Sequence, residues 1–202
     1  MLSCPDEKKL FVQICRRAVE TGMQVSTGGN VSMKLSDNLF LVKPSGLSLY
    51  DVQTKNLVLA DARGRVVQGS AKPTKEIGTH LSIYRVRKEV GAVVHYHSPC
   101  ATAYAVLARE IPLLTVHGKR ILGRLPVIPE GEEGSEALGR FVEETFADPS
   151  IKAALLAGHG ILAAGRHLTE AQNLAELVEE SAKIAFLDRK STRLNSSHRL
   201  LS

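Results

Sequence analysis

The chain of 202 residues is poor in the residues that mark several common protein classes. It has no tryptophan, aromatic residues make up 4% of it, and its three cysteines (Cys4, Cys15 and Cys100) share no metal-ligand spacing. An odd number of cysteines argues against a disulfide framework. No apolar run approaches the roughly 20 residues that cross a bilayer, and no basic segment followed by an apolar one opens the chain. We therefore expect a cytoplasmic protein with no membrane partner.

The net charge of +5 is concentrated at one end of the sequence. Four of the five net positive charges lie after Asp188, so residues 1–188 carry a net charge of +1. No basic stripe with interleaved aromatic residues is present, and the sequence therefore predicts no nucleic-acid partner. The hydrophobic (44%) and charged (23%) contents are those of an ordinary globular protein, and the length fits one domain with a substantial core.

The C-terminal end differs from the rest of the sequence. From Arg189 onward there is neither apolar periodicity nor a helix cap, only polar residues and isolated leucines. We interpret residues 189–202 as a non-native or disordered tail, with translated vector sequence and a natural disordered terminus as the two origins. Residues 1–188 then form a single domain, whose last helix is predicted at 169–187.

Helical and strand patterns alternate along the domain and predict an α/β fold. Apolar residues recur at helical spacing at 6–21, 74–88, 99–107, 132–146 and 169–187. Short β-type runs are found at 31–35, 39–42, 57–60, 65–67, 93–97, 111–116, 125–128, 153–156 and 160–164. Thr74 follows Pro73 and is the predicted N-cap of the second helix.

Two histidines at the end of an apolar run are the first candidate site. Val93 and Val94 lead into His95 and His97. Side chains alternate between the two faces of a strand, so the two imidazoles point the same way, roughly 7 Å apart along it. Such a pair can converge on one cation, although two arbitrary histidines more often pack in a core or cap a loop.

Two further residues lie in suggestive contexts. Glu76 stands at the start of a predicted helix, and His159 stands between two glycines that separate two apolar runs. Three imidazoles and a carboxylate are the ligand set of a tetrahedral metal site, or of a three-ligand site with one labile position. His80 lies four residues after Glu76 on the same helical face and is a rival ligand, with a packed core histidine as the alternative.

Three turns of small residues favour anion binding. They are Ser26–Asn30, Lys43–Gly46 and the predicted helix start at Thr74, where the backbone N–H groups of 75–77 would lie at the positive end of the helix. Each turn alone is weak as a signal, because a glycine-rich segment is more often a plain loop.

Taken in order, six motifs resemble those of the class II aldolase/adducin family. They are Thr27–Ser32, Lys43–Gly46, Lys72–Glu76, Thr79–Leu81, Val93–Ser98 and Gly158–Gly160. The resemblance extends from about residue 11 to residue 187. It implies a three-layer α/β/α sandwich around a mixed, largely antiparallel sheet, and a homotetramer with fourfold symmetry whose sites lie at subunit interfaces.

The resemblance also implies the roles of individual residues. A divalent metal, zinc first with manganese or cobalt as alternatives, is expected on His95, His97 and His159. Glu76 falls where the aldolases carry their metal-binding glutamate and general base. The expected substrate-phosphate residues are Gly29, Asn30, Ser45, Gly46, Thr74 and Lys75.

The implied function is a metal-dependent lyase that cleaves a phosphorylated ketose by a retro-aldol reaction. A Lewis-acid cation can stabilise the enediolate that forms when a C–C bond breaks, and a nearby carboxylate can shuttle the proton. A decarboxylase of a 3-oxo sugar-acid phosphate is the alternative, because such family members carry a string similar to 73–76 of this chain. A non-catalytic adducin-like interaction module is disfavoured by the presence of all three histidines and Glu76.

Two departures from family patterns bear on the function. The ribulose-phosphate 4-epimerase branch carries aspartate at the position of Glu76, so glutamate favours an aldolase or a decarboxylase. Fuculose-phosphate aldolases carry a catalytic tyrosine just after the position of Pro112, where this chain has Leu113–His117. His117 is a candidate replacement acid, and an ordinary surface or core role is the other interpretation. The sequence does not identify the sugar phosphate.

Overall fold

The computed structural model describes residues 4–198, with side chains up to Arg189. The helices in this range are α1 (Pro5–Glu20), α2 (Ile77–Val86), α3 (Pro99–Val106), α4 (Val116–Leu122), α5 (Glu136–Phe146) and α6 (Leu168–His198). The strands are β1 (Asn30–Ser36), β2 (Leu39–Val42), β3 (Val58–Asp61), β4 (Val66–Gln68), β5 (Ala92–Tyr96), β6 (Val127–Ile128), β7 (Ala153–Leu156) and β8 (Gly160–Gly165). Among the described helices, none combines the length and the apolar character of a membrane span.

All eight strands of the described chain form one sheet in the order β4-β3-β2-β1-β5-β8-β7-β6. Its strand pairs are antiparallel except β6 with β7, which are parallel. Helices α2 and α5 cover one face of the sheet, and α1, α3 and α6 cover the other. The predicted three-layer α/β/α sandwich around a mixed, largely antiparallel sheet is confirmed.

The central strands β1 and β5 decide which side chains face which layer. Asn30 pairs with His95 and Ser32 lies two residues further along β1, in antiparallel register. Side chains alternate along each strand, so these three residues share the face covered by α2. Val31 and Val94 point to the opposite face, where they join the core under α6. Because both faces are covered, every residue of β5 is buried.

Helix α2 begins at Ile77, three residues later than the sequence predicts. Segments 43–45 and 72–74 pair as an antiparallel bridge, in which the Thr74 N–H donates to a backbone carbonyl at 3.1 Å. This pairing keeps the chain extended through Thr74, so a helix can begin only after the next turn. The prediction of Thr74 as N-cap is wrong, and Glu76 occupies that position without a capping side-chain hydrogen bond.

The strand predicted at 111–116 is absent from the described structure. Residues 111–115 are irregular, and helix α4 begins at Val116. The Thr115 hydroxyl accepts a hydrogen bond from the Gly118 N–H at 3.0 Å and caps this helix. The cap explains why a helix begins at Val116, and Pro112, which has no N–H to donate to a neighbouring strand, weakens the β-type run before it.

Helix α6 runs to His198, past the end predicted at Leu187. The added segment contains neither glycine nor proline, the residues that most often end a helix. Residues 199–202 lie outside the described residues, and the interpretation of 189–202 as a tail stays a prediction.

Helix α3 begins immediately after the histidine pair and is tied to α6. The Glu179 carboxylate on α6, 2% exposed, accepts hydrogen bonds from the backbone N–H groups of Cys100 (3.2 Å) and Ala101 (2.8 Å). A carboxylate at a helix N-terminus also interacts favourably with the helix dipole. Since α3 starts at Pro99, this contact fixes the path of the chain as it leaves β5.

Replacing Glu179 with alanine should lower the free energy of unfolding by about 1–3 kcal/mol, because two backbone N–H groups lose their acceptor. Urea denaturation measures this change. The matched control is Glu180→Ala, since Glu180 is exposed on the same helix and its loss should cost less than about 0.5 kcal/mol. Equal losses in the two variants would contradict a stabilising role for the capping contact.

Candidate functional site

Three imidazoles converge where β5 ends. The ligand nitrogens of His95, His97 and His159 all lie within 4.8 Å of one another. The Nε2 atoms of His95 and His97 are 2.9 Å apart, in keeping with the strand alternation that places both rings on one face. His159 enters from the turn between β7 and β8, beside β5 in the sheet.

Gly160 allows the β7–β8 turn to close on the histidine pair. A Cβ atom at this position would lie 2.4 Å from the Tyr96 carbonyl oxygen and 2.8 Å from Cδ2 of His97. Both distances are shorter than van der Waals contact, so a side chain here would push the turn away. The glycine that follows His159 is therefore required for the cluster to form.

His95 is a neutral ring whose Nε2 lone pair faces the other imidazoles. His95 Nδ1 lies 2.8 Å from the Ile161 carbonyl oxygen, which can only accept, so Nδ1 carries the proton and Nε2 keeps its lone pair. Burial lowers the pKa of His95 well below its usual value, and repulsion from His159 and His97 lowers it further. Burial likewise lowers the pKa of His97. Neutral imidazole is the form that binds metal.

The Glu76 carboxylate lies next to the group of three imidazoles but is not part of it. Its Oε1 accepts a hydrogen bond from Asn30 Nδ2 at 2.8 Å, and its Oε2 lies 3.4 Å from His95 Nε2. Within the described chain, this buried Oε2 has no hydrogen-bond partner. An unpaired buried carboxylate oxygen is costly, and a cation between it and the imidazoles would satisfy it. The donor set of three nitrogens and a carboxylate fits a divalent metal such as zinc.

The three small-residue turns meet beside the histidine cluster. The Ser45 N–H donates to the Lys72 carbonyl at 2.9 Å, which joins the second turn to the third. The Lys43 ammonium donates to the Thr27 carbonyl at 3.0 Å, which joins the second turn to the first. The structure thereby brings into one region the residues predicted to bind phosphate, Gly29, Asn30, Ser45, Gly46, Thr74 and Lys75.

Several backbone N–H groups in these turns already donate hydrogen bonds within the chain. This is contrary to the prediction that all three turns offer free N–H groups to an anion. The N–H groups of Ser45 and Thr74 bond to carbonyls of the pairing segments, and the Glu76 N–H lies 3.4 Å from the Thr74 hydroxyl. Within residues 4–189, the backbone N–H groups of Gly29 and Gly46 have no partner. The glycine N–H groups and exposed hydroxyls are therefore among the groups left to meet an anion.

His80, the rival ligand, stays outside the cluster. Its Nδ1 lies 2.7 Å from the Ser32 hydroxyl, which in turn lies 2.8 Å from the Tyr84 hydroxyl. Burial lowers the pKa of His80 to about 3, so its ring is neutral at pH 7. Its Nε2 is buried and has no hydrogen-bond partner among the described residues.

His117, the candidate acid, also stays outside the cluster. It lies exposed on α4 and lines a surface groove with Glu176 and Lys183 of α6. Its nearest polar partner in the described chain is the Arg120 guanidinium, 3.5 Å from Nδ1. The geometry of one chain gives His117 no part in this site.

Two residues at the site are not singled out by the sequence. Gln24 is buried, and its Oε1 accepts a hydrogen bond from the His97 N–H at 2.9 Å. Glu133 Oε1 lies 3.5 Å from Nε2 of His159. Three glutamates within 130–133 are a signal that could have revealed Glu133. No local pattern marks Gln24, whose role depends on a strand more than seventy residues away.

Known proteins resemble this chain over nearly its whole length. Residues 9–186 match the family described as Class II Aldolase and Adducin N-terminal domain. The L-fuculose phosphate aldolase of Methanocaldococcus jannaschii is 36% identical over 182 residues, covering 90% of this chain and 97% of that protein. The 3-oxo-tetronate 4-phosphate decarboxylase of Haemophilus influenzae is 35% identical over 187 residues, covering 89% of this chain and 87% of that protein.

Comparison of the fold with solved structures points to the same family. The solved structure of an L-fuculose 1-phosphate aldolase superposes with a TM-score of 0.87 and 29% sequence identity, covering 94% of this chain and 89% of that chain. Sequence and fold agree over the same residues that carry the strand pair, the turns and the histidine cluster. This chain belongs to the class II aldolase and adducin N-terminal domain family.

Proposed function

We propose that this protein is a metal-dependent lyase that cleaves a phosphorylated ketose by a retro-aldol reaction. The observation that carries the proposal is the buried Glu76 carboxylate, which lies 3.4 Å from His95 beside three converging imidazoles. Family membership and the similarity to L-fuculose phosphate aldolases support this chemistry. A non-catalytic module would have no need of such a costly buried cluster.

His95, His97 and His159 would hold a divalent cation, with Glu76 as a further ligand. Zinc suits the nitrogen-rich donor set, and manganese or cobalt are the alternatives. When bound, the cation supplies Lewis-acid stabilisation of the oxygen charge that develops as the C–C bond breaks.

Glu76 is the proposed proton carrier. The hydrogen bond from Asn30 occupies its Oε1, so Oε2 is the oxygen left to contact the cation and to carry the proton. In the cleavage direction a substrate hydroxyl loses its proton and becomes the aldehyde carbonyl. The electrons of the broken C–C bond then pass to the carbon beside the ketone. Glu76 Oε2 would take the hydroxyl proton and deliver it to this carbon, so that the carboxylate ends the reaction in its starting form.

The substrate phosphate is proposed to bind between the three turns. Backbone N–H groups and hydroxyls bind phosphate well, and the exposed Lys75 ammonium adds a positive charge. The proposed contacts are Gly29, Asn30, Ser45, Gly46, Thr74 and Lys75. Free N–H groups at Gly29 and Gly46 support this assignment.

Decarboxylation of a 3-oxo sugar-acid phosphate is the second candidate function. It is favoured by the Haemophilus influenzae relative, which is 35% identical. Loss of CO₂ from a 3-oxo acid and cleavage of an aldol both leave electrons on a carbon beside a carbonyl, so the same site can serve either reaction. The leaving group, CO₂ or an aldehyde, distinguishes the two.

The proposed assembly is a homotetramer with sites at subunit interfaces. Val25, 74% exposed beside the first glycine turn, and Val116, 81% exposed at the start of α4, support it. A neighbouring subunit that covered these two valines would remove their apolar surface from water. The cytoplasm is the proposed compartment, and a phosphorylated sugar is the proposed partner.

Replacing His159 with alanine should reduce bound metal far below one ion per chain, and Glu76→Gln should keep most metal but lower turnover by about 10²–10⁴-fold. Metal analysis and parallel assays of aldehyde and CO₂ release, from phosphorylated ketoses and 3-oxo acid phosphates, measure both effects. His167→Ala, which removes an exposed histidine, is the control and should match the wild type.

Each outcome of these assays has a distinct meaning. Full metal content in the His159→Ala variant would contradict the ligand assignment. Release of CO₂ without aldehyde would select the decarboxylase. Neither product from metal-loaded wild type, across both substrate panels, would overturn the proposed function.

Gly29→Ala should weaken competition by inorganic phosphate. Gly29 has a φ of +64°, and a Cβ there would lie 2.5 Å from Gln24 Oε1. Gly22 has a φ of +74° with no atom within 4 Å of the added Cβ. Both alanine variants carry the left-handed backbone cost of about 1–2 kcal/mol, but only the first distorts the turn. Unchanged phosphate inhibition in Gly29→Ala would count against the phosphate site.

Val116→Glu should dissociate the tetramer, because a charge would replace an apolar contact. Sedimentation velocity measures the size of the particle. Val67→Glu, at an exposed position (59%) on edge strand β4, is the control and should leave the assembly intact. A tetramer that persists in Val116→Glu would place the interface elsewhere.

A further inference from the structure

A buried polar patch links β1 to α2 directly behind Glu76. Asn30 Nδ2 donates to Glu76 Oε1 at 2.8 Å, and two residues further along β1 the Ser32 hydroxyl meets His80 Nδ1 at 2.7 Å. Glu76 and His80 are four residues apart, which places them on one side of α2 and its cap. The hydrogen bonds from Asn30 to Glu76 and between Ser32 and His80 therefore lie next to each other between β1 and α2.

The Tyr84 hydroxyl is the second hydrogen-bonding neighbour of the Ser32 hydroxyl. It lies 3.2 Å from the Ser32 carbonyl oxygen and 2.8 Å from the Ser32 hydroxyl, so its single proton goes to Ser32 by either contact. Where the Tyr84 proton goes to the Ser32 hydroxyl, the Ser32 proton is left to donate to His80 Nδ1 at 2.7 Å. A neutral ring that accepts at Nδ1 carries its proton on Nε2.

The Nε2 end of the His80 ring is the part that Ser32 does not hold. Its Nε2 is buried and unpartnered in the described chain, as are Glu76 Oε2 and Asn30 Oδ1. Burial lowers the pKa of His80 and the Glu76 carboxylate acts in the opposite direction, so Glu76 is within electrostatic reach of the ring. An N–H at Nε2 would therefore offer a donor to the two unsatisfied acceptors of this patch.

We propose that His80 is a positioning residue for Glu76. Tyr84 and Ser32 hold its ring as the Nε2–H tautomer, and this N–H donates to Glu76 Oε2, through a small rotation of the carboxylate or through one bridging water molecule. The catalytic consequence rests on the proposed function, in which Glu76 carries the proton.

A neutral donor suits this position better than a charged one. Hydrogen bonding to an ionised carboxylate favours its charged form and fixes its orientation. An imidazolium or ammonium here would also place positive charge beside the three histidines, where it would repel a cation. Full burial keeps the His80 ring neutral, so it orients Glu76 without that repulsion.

Two isosteric substitutions separate this role from a purely structural one. In His80→Gln the terminal amide takes the place of Nε2 and loses the contact with Ser32. In His80→Asn the shorter amide takes the place of Nδ1, so the Ser32 contact remains and the donor to Glu76 is lost. The measurement is kcat and KM of both variants with the substrate that the wild type turns over, alongside metal content.

We expect His80→Asn to lose about 10–100-fold in kcat with KM and metal content nearly unchanged, the range typical of residues that orient a metal-site group. His80→Gln should keep at least tenfold more kcat than His80→Asn. A kcat of His80→Gln that is equal to or below that of His80→Asn would overturn the proposal, because the Ser32 contact would then be the one that matters.

Two NMR measurements decide the proposal without activity, so failure of the proposed function leaves it testable. Imidazole ¹⁵N shifts of the wild type should show His80 protonated on Nε2, and protonation on Nδ1 would overturn the proposal. The Asn30 side-chain amide, bonded to Glu76, should shift in His80→Asn and stay in place in His80→Gln. The reverse pattern would also overturn it. Should either variant fail to fold, the wild-type tautomer decides.

Discussion

The register of β1 against β5 is the constraint on which the rest of the site depends. With Asn30 opposite His95, the side chains of Asn30, Ser32 and His95 face α2, and those of Val31 and Val94 face α6. A slip of one residue would exchange the two sets, burying polar groups under α6 and valines under α2. Glu76 and His80 come from the α2 side, so they meet their partners only in this register.

Burial of opposite charges gives the site its electrostatic character. Lys43 and Glu76 are both buried, and burial lowers the pKa of Lys43 while attraction to Cys15 and Glu76 opposes that shift. The Lys43 ammonium bonds to the Thr27 carbonyl and the Glu76 carboxylate bonds to Asn30, which offsets part of their desolvation. Only Oε2 of that carboxylate is left without a partner in the described chain, on the side of the histidines.

Patterns among neighbouring residues predicted the features that depend only on neighbouring residues. Alternation along a strand was enough to align His95 with His97, and a histidine between two glycines was enough to expect a turn at His159. Non-local contacts explain the failures. Thr74 is extended because it pairs with a segment about thirty residues earlier, and Gln24 is recruited by the backbone of His97. The link from Ser32 to His80 and Tyr84 likewise spans about fifty residues, beyond the reach of any periodicity.

The turn that carries His159 lies more than sixty residues after the histidine pair and reaches it only through the pairing of β5 with β8. An unfolded chain therefore holds no preformed cluster. Any cation that selects this cluster binds the native state alone, and the binding free energy adds to the stability of the whole sheet by linkage, about 2.7 kcal/mol at a free concentration one hundred times the Kd. A change in the supply of such a cation would then change the stability of the fold itself.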